Sequence, residues 1–213
     1  FTPSLPLLFS PSHLMEEVLA LEQLLRVDIS DYSLLATALT HRSYLNEHPE
    51  ITEDNERLEF LGDAVVDLVV ANYLFRRFPD MAEGEMTALR AALVREDGLA
   101  GFARQWQLDK FLRLGLGEVA NGGRERTTTL CATFEAVVGA LYVDVGLTAV
   151  QPLLEGLVEP ALQTILRDSS HKDARSEFQA WAQATFNTTP RYKVIAITGP
   201  EHARQFTMQV MVG

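Results

Sequence analysis

The chain has 213 residues, 47% of them hydrophobic, which is enough for one large core and a smaller second unit. Eighteen basic residues against 29 acidic ones give a formal net charge of −11, which excludes a uniformly basic nucleic-acid-binding surface. The single cysteine, Cys131, excludes a disulfide framework within the chain and any CxxC metal site.

The opening stretch Phe1 to Phe9 is apolar but short. It holds two prolines and has no basic flank, so it reads poorly as a signal peptide. No run reaches the roughly 18 apolar residues that a membrane span needs. The expectation is a protein without membrane association in a reducing compartment, the cytoplasm first and an organelle as the alternative.

Residues 12 to 26 place Leu14, Val18, Leu21, Leu24 and Leu25 at helical spacing between glutamates, with Ser12 as a candidate N-cap. A short helix follows over 33 to 39. It leads through Thr40-His41-Arg42-Ser43-Tyr44 into a polar loop, 46 to 55. His41 there reads as a structural hydrogen-bonding residue.

Glu56 to Phe78 is the strongest helix in the chain. Leu58, Leu61, Val65, Leu68, Val69, Tyr73 and Leu74 give it a wide apolar surface, and Pro79 ends it. Next come a helix over Glu83 to Phe102, a short one near Asp109 to Leu112, and a glycine-rich turn from Gly115 to Gly123. A nearly uncharged helix follows over Thr128 to Tyr142, closed by Asp144 and Gly146, and the last helix of this body runs from about Thr148 to Leu166. Helix after helix with short connections predicts an all-α domain over 12–167.

Asp168 to Asp173 reads as a linker, 168–173. Residues 1–170 carry a net charge of −13 and residues 171–213 a net of +2, so an acidic body is followed by a slightly basic tail. Within that tail, 174–213, a helix to Phe186 precedes two alternating runs, Arg191 to Thr198 and Ala203 to Val212. Gly199-Pro200 joins them as a hairpin. Two strands are marginal without further cover, so the natural chain is expected to continue past Gly213.

Glu56, Glu59 and Asp63 stand at i, i+3 and i+7, which brings three carboxylates onto one helical stripe. Their repulsion calls for a cation. Two readings stay open: a solvated acidic face with Arg57 and other arginines as partners, or a site for a hard divalent ion. Glu135 is the only charge between Arg126 and Asp144, and a buried lone carboxylate is costly without a partner or a metal. Crossed helices that bring Glu135 to Glu59 and Asp63 would make an oxygen-rich cluster. Cys131 reads as a small core residue, and Gly122-Gly123-Arg124 as a tight turn rather than a phosphate loop.

Asn55-Glu56-Arg57-Leu58-Glu59-Phe60-Leu61-Gly62-Asp63-Ala64-Val65 resembles the signature of the ribonuclease III family. The likeness extends to Thr40-His41-Arg42-Ser43-Tyr44, Glu83-Gly84-Glu85-Met86-Thr87, Gly117-Glu118 with Gly122-Gly123-Arg124, and Phe134-Glu135-Ala136, in order over roughly residues 20 to 165. Ser176 to Gln179, Pro190 to Tyr192 and Gly199 to His202 are similar to the opening half of a double-stranded-RNA-binding domain. The resemblance therefore implies a mainly α fold: a ribonuclease III-type helical domain followed by a truncated α/β RNA-binding domain.

It also implies endonucleolytic hydrolysis of double-stranded RNA that leaves 5′-phosphate and 3′-hydroxyl ends, with ribosomal-RNA precursors as the usual substrate. Glu59, Asp63 and Glu135 would hold Mg²⁺, with Mn²⁺ as an alternative, and Glu56 would assist at the rim as the fourth catalytic acid. Phe60 would pack at the seam of a homodimer. Glu177, Gln179, Pro200 and His202 would touch RNA. One departure stands out: where the family has an aspartate three residues before Glu135, this chain has Ala132. The expectation is an enzyme impaired in this form, with a deliberate substitution and a natural loss both open as the origin of Ala132. The alternative is an inactive RNA-binding or ribosome-associated relative.

Overall fold

The computed structural model describes residues 11–198 and 205–212. The chain divides into two compact units, Phe1–Leu162 and Gln163–Gly213. The architecture is mainly helical, with one two-stranded sheet near the C-terminus.

In the first unit α1 (Pro11–Leu25), α2 (Tyr32–Ala38) and the single-turn α3 (Arg42–Leu45) precede the long α4 (Glu56–Arg77). Asp31 caps α2, its side chain accepting from Ser33 N at 2.9 Å. Then follow α5 (Glu83–Leu93), α6 (Glu96–Gln105), α7 (Leu108–Phe111), α8 (Leu116–Ala120) and α9 (Thr127–Val145), and α10 (Leu147–Phe186) runs on into the second unit.

Helix α9 is the core of this unit. Leu130, Phe134, Val137, Val138 and Leu141 are all buried. The Phe134 ring packs 4.9 Å from Trp106 and 5.7 Å from Phe102, centroid to centroid, within the range of favourable aromatic pairs. By length and composition α9 is apolar enough to cross a membrane, contrary to the expectation that no segment qualifies. Here most of its apolar residues line the interior of the domain, with Tyr142 and Val143 exposed near its end. Gly146 ends α9 at φ +78°, a conformation that favours glycine. Asp144, just before it, accepts the backbone N–H groups of Ser30 at 2.8 Å and Asp31 at 3.1 Å, tying the entry of α2 to the end of α9.

Helices α4 and α9 form the most extensive pairing in the fold, and glycines set how close they come. A Cβ placed on Gly62 would overlap the Glu135 carbonyl oxygen and lie 2.9 Å from Gly139 N. One placed on Gly139 would overlap the Leu58 carbonyl and lie 3.1 Å from Gly62 N. The two backbones therefore touch, and only residues without a side chain fit at the crossing.

Several elements differ from the sequence expectation, and Ser12, expected as an N-cap, lies inside α1. The helix expected over Glu83 to Phe102 is two helices, because Arg95 is extended at ψ 151° and α6 begins anew behind it. The charges fit the break, with Arg90 in the last turn of α5 and Glu96 and Asp97 in the first turn of α6, each favourable to its helix end. The glycine-rich turn contains a helical segment, α8, before Gly122 turns the chain at φ +72°. Finally, the stretch read as a linker, 168–173, is helical: α10 passes through it without a break. Polar composition suggested a boundary, yet no glycine or proline lies between Ala161 and Phe186, so nothing stops propagation.

In the second unit β1 (Arg191–Thr198) pairs antiparallel with β2 (Gln205–Met211), from Arg191 opposite Met211 to Thr198 opposite Gln205, with an irregularity between Val194 and Ala196. The hairpin expectation holds. The Gly199–His202 turn lies outside the described residues.

Replacing Gly62 by alanine should force the α4–α9 crossing apart and lower stability by about 3 kcal/mol, at the upper end of overpacking costs. Gly101→Ala, mid-helix in α6 with open space around its Cβ position, should instead stabilise by about 0.5–1 kcal/mol. Urea denaturation of both variants checks the pair; equal effects would sink this account of the crossing.

Candidate active site

The Gly62–Gly139 contact decides which side chains meet. Glu59 and Asp63 lie three residues before and one after Gly62, and Glu135 lies one turn before Gly139 on the opposing helix. These acids feel one another. Burial first, then the charges of Glu56, Asp63 and Asp54, raises the Glu59 pKa. Glu135 is pushed up to about 7, by burial first and then by Asp63 and Glu59; a hydrogen bond from the Cys131 thiol opposes this and Asp67 adds to it.

The charges of Asp63 and Glu59 on α4 thus act on Glu135 of α9. The side chains do not converge fully: among the described residues, no three acidic, histidine or cysteine groups are gathered tightly enough to hold a metal ion. Nor does any cation pair with Glu59, Asp63 or Glu135 among the described residues. The solvated stripe describes Glu56 and Asp63, both exposed, and of the two an arginine partner is seen for Glu56. Glu56, more than half exposed, pairs with Arg42 at 3.1 Å.

Two of the acids in this neighbourhood, Asp67 and Glu96, escaped the sequence reading. Asp67 stands one turn beyond Asp63 on α4, a periodic signal available but unread. Glu96 starts α6, and nothing local marks it. Cys131, read as a core residue, is half-buried and faces the carboxylates. Burial and then Glu135, Glu96, Glu59 and Asp63 push its thiol up to about 12, so it stays protonated at neutral pH. Ala132 is half-buried one turn before Glu135, where it offers no oxygen.

Phe60 is 82% exposed, and Leu68 and Phe75 continue an exposed apolar stripe along α4. The latter two line a cleft of about 410 Å³ with Met86 and Arg90 of α5. His41 behaves as the structural reading has it: it caps α3, its Nδ1 accepting from Ser43 N at 3.2 Å. Of the candidate RNA contacts, Gln179 is exposed on α10 and Glu177 lies on the same helix. Pro200 and His202 lie outside the described residues.

A family model described as ribonuclease-III-like matches residues 31–160. A "Ribonuclease 3" of Roseiflexus sp. (strain RS-1) is 46% identical over 192 residues, covering 89% of this chain and 81% of that protein. One from Listeria welshimeri is 43% identical over 199 residues, covering 90% and 84%. Among solved structures, the nuclease domain of ribonuclease III from Campylobacter jejuni is 40% identical with a TM-score of 0.61, covering 68% of this chain and 94% of that one. Dicer from Pichia stipitis is 28% identical with a TM-score of 0.51, covering 87% and 82%. The matched region contains α2 to α9 and every acid of the α4–α9 neighbourhood, and the chain belongs to the ribonuclease III family of endoribonucleases.

Proposed function

We propose that this chain hydrolyses phosphodiester bonds in double-stranded RNA, using a divalent cation held by Glu59, Asp63 and Glu135. The observation that carries this reading is the crossing at Gly62 and Gly139. It brings the partly buried Glu135 under the charges of the partly buried Glu59 and the exposed Asp63, with no cation paired with any of the three among the described residues, a costly arrangement unless a cation shares it. The donor set fits a hard ion, Mg²⁺ or Mn²⁺, since every acid in it offers oxygen.

When bound, such an ion supplies a water of lowered pKa and stabilises charge on the leaving oxygen. The chain's own part is to orient oxygens. Glu59 and Asp63 project from α4 and Glu135 from α9, while Glu56, held by Arg42, stands at the rim. The Cys131 hydrogen bond favours the charged form of Glu135, the form that binds a cation.

Phe60 is the proposed anchor of a homodimer, with the stripe to Phe75 alongside. A second Campylobacter jejuni nuclease-domain structure, 41% identical to this chain, is described as having structural flexibility in a region involved in dimer formation, which supports this. The tail over 174–213 is proposed as the first part of a double-stranded-RNA-binding domain. Glu177, Gln179, Pro200 and His202 would there read A-form shape through minor-groove contacts.

Ala132 favours a second reading, a chain that binds RNA and cleaves it poorly, because its methyl group stands where a further oxygen would face Glu135. Ala132→Asp should raise Mg²⁺-dependent cleavage of a long RNA duplex by roughly 10- to 100-fold. No gain in a folded, dimeric variant would favour the binding-protein reading.

The raised pKa of Glu135 has a sign that can be tested without RNA. The metal-free fold prefers the protonated acid. The contribution of Glu135 to stability is therefore fully present below the ordinary value of 4.5 and is lost as the pH climbs through about 7. Glu135→Gln should flatten this decline in thermal melts, and Mg²⁺ at pH 8 should restore stability to the parent chain far more than to the variant. A parent indifferent to Mg²⁺ would count against the metal reading.

Phe60→Ala should weaken dimerisation by about 30-fold, the worth of a 2 kcal/mol interface anchor, in sedimentation equilibrium. An unchanged dimer constant would move the seam elsewhere.

A further inference from the structure

Helix α4 does not start as its sequence suggests. Asn55 occupies the N-cap position, where an asparagine side chain normally accepts an N–H of the first turn, yet it makes no such bond. Instead Asn55 is 2% exposed, its amide Nδ2 without a partner, and its backbone does the work. Asn55 N donates to the Thr40 carbonyl at 2.9 Å, and the Asn55 carbonyl accepts from Glu59 N at 2.9 Å.

Thr40 is equally buried, at 1% exposure, and is held from its other side by Arg113. Residue 113 forms a parallel bridge to Thr40: Arg113 N donates to the Leu39 carbonyl at 2.8 Å, and His41 N donates to the Arg113 carbonyl at 3.0 Å. The Arg113 guanidinium donates through Nη1 to Thr40 Oγ1 at 3.1 Å, while Thr40 Oγ1 donates to the Ala36 carbonyl at 2.7 Å. The same guanidinium lies 4.8 Å over the Tyr44 ring. Two further bonds seat the neighbouring stretch, Gly115 N on Ser43 Oγ at 3.0 Å and Leu116 N on Glu47 Oε1 at 2.8 Å.

A continuous series of hydrogen bonds thus runs from Arg113 through Thr40 and Asn55 to the backbone of Glu59, and it passes through no acidic side chain. It gives the Thr40–Tyr44 segment, a part of the family likeness that the proposed chemistry leaves without a task, a definite one. We propose that Arg113 and Thr40 are positioning residues for Glu59: they set where the first turn of α4 begins, and hence where the Glu59 carboxylate stands relative to Asp63 and Glu135. This rests on the reading above that Glu59 is a metal ligand. The arginine fork is suited to the task, since it satisfies Thr40 Oγ1 and stacks on Tyr44 in one rigid plane.

The test is Mn²⁺ affinity of the whole chain without RNA, read from the electron paramagnetic resonance signal of free Mn²⁺. Thr40→Val, nearly isosteric, removes the acceptor of the Arg113 bond and should weaken Mn²⁺ binding roughly tenfold, as loss of a ligand's hydrogen-bonded support does. Thr40→Ser keeps the hydroxyl and should restore the affinity of the parent. Arg113→Met leaves the backbone bridge in place and serves where Thr40→Val fails to fold; it should weaken binding in the same direction. Variants that melt earlier but bind Mn²⁺ as the parent does would show that the series is scaffold alone and overturn the proposal. A folded parent that binds no Mn²⁺ would overturn both this proposal and the metal reading it rests on.

Discussion

Everything at the centre of this molecule depends on two backbones touching. At Gly62 and Gly139, helices α4 and α9 approach until each would collide with a Cβ on the other. Helices packed through side chains keep their axes about 8–10 Å apart, and side chains flanking such a contact are held away from one another. With glycine on both sides, the flanking positions move inward instead, and those positions carry Glu59, Asp63 and Glu135. The same contact that fixes the packing of the core also creates the acidic neighbourhood, so fold and site cannot be adjusted separately.

The electrostatic consequence is a region under tension. Glu59 is raised from its ordinary value and Glu135 is pushed up to about 7, each first by burial and then by other acids, while the arginine of the rim, Arg42, is spent on Glu56. A domain optimised for stability alone would carry an apolar or neutral residue at 135, inside an otherwise apolar helix. A local rule broken beside a close crossing of two helix backbones supports the functional site we propose there. Cys131 belongs to this region as well: its thiol stays protonated because burial and the same carboxylates resist a further negative charge.

Much of this was legible in advance, and for physical reasons. The spacing of Glu56, Glu59 and Asp63 survives in any α-helix, because 3.6 residues per turn alone put them on one stripe. Glu135 was conspicuous as the lone charge in a long apolar run. Less legible were features that depend on how a local choice is resolved. Nothing in composition distinguished the polar stretch 168–173 as helix rather than linker, since serine, aspartate and lysine tolerate both and the absence of glycine and proline tips the balance. The break at Arg95 was hidden by apolar residues on both sides of it, and charges at the two new helix ends were the available clue.

The sequence by itself determined the helical class, the position of most helices, the hairpin, the family and the identity of the principal acids, because these follow from periodicity, from turn residues and from a long ordered match of motifs. Only the tertiary structure decided that α4 and α9 cross at Gly62 and Gly139, that burial and the charges of Asp63 and Glu59 raise Glu135, and that Asn55 anchors a helix through its backbone. Each of those depends on distance between segments far apart along the chain. That distance is set by packing, here by two glycines seventy-seven positions apart in sequence that meet only once the core has closed.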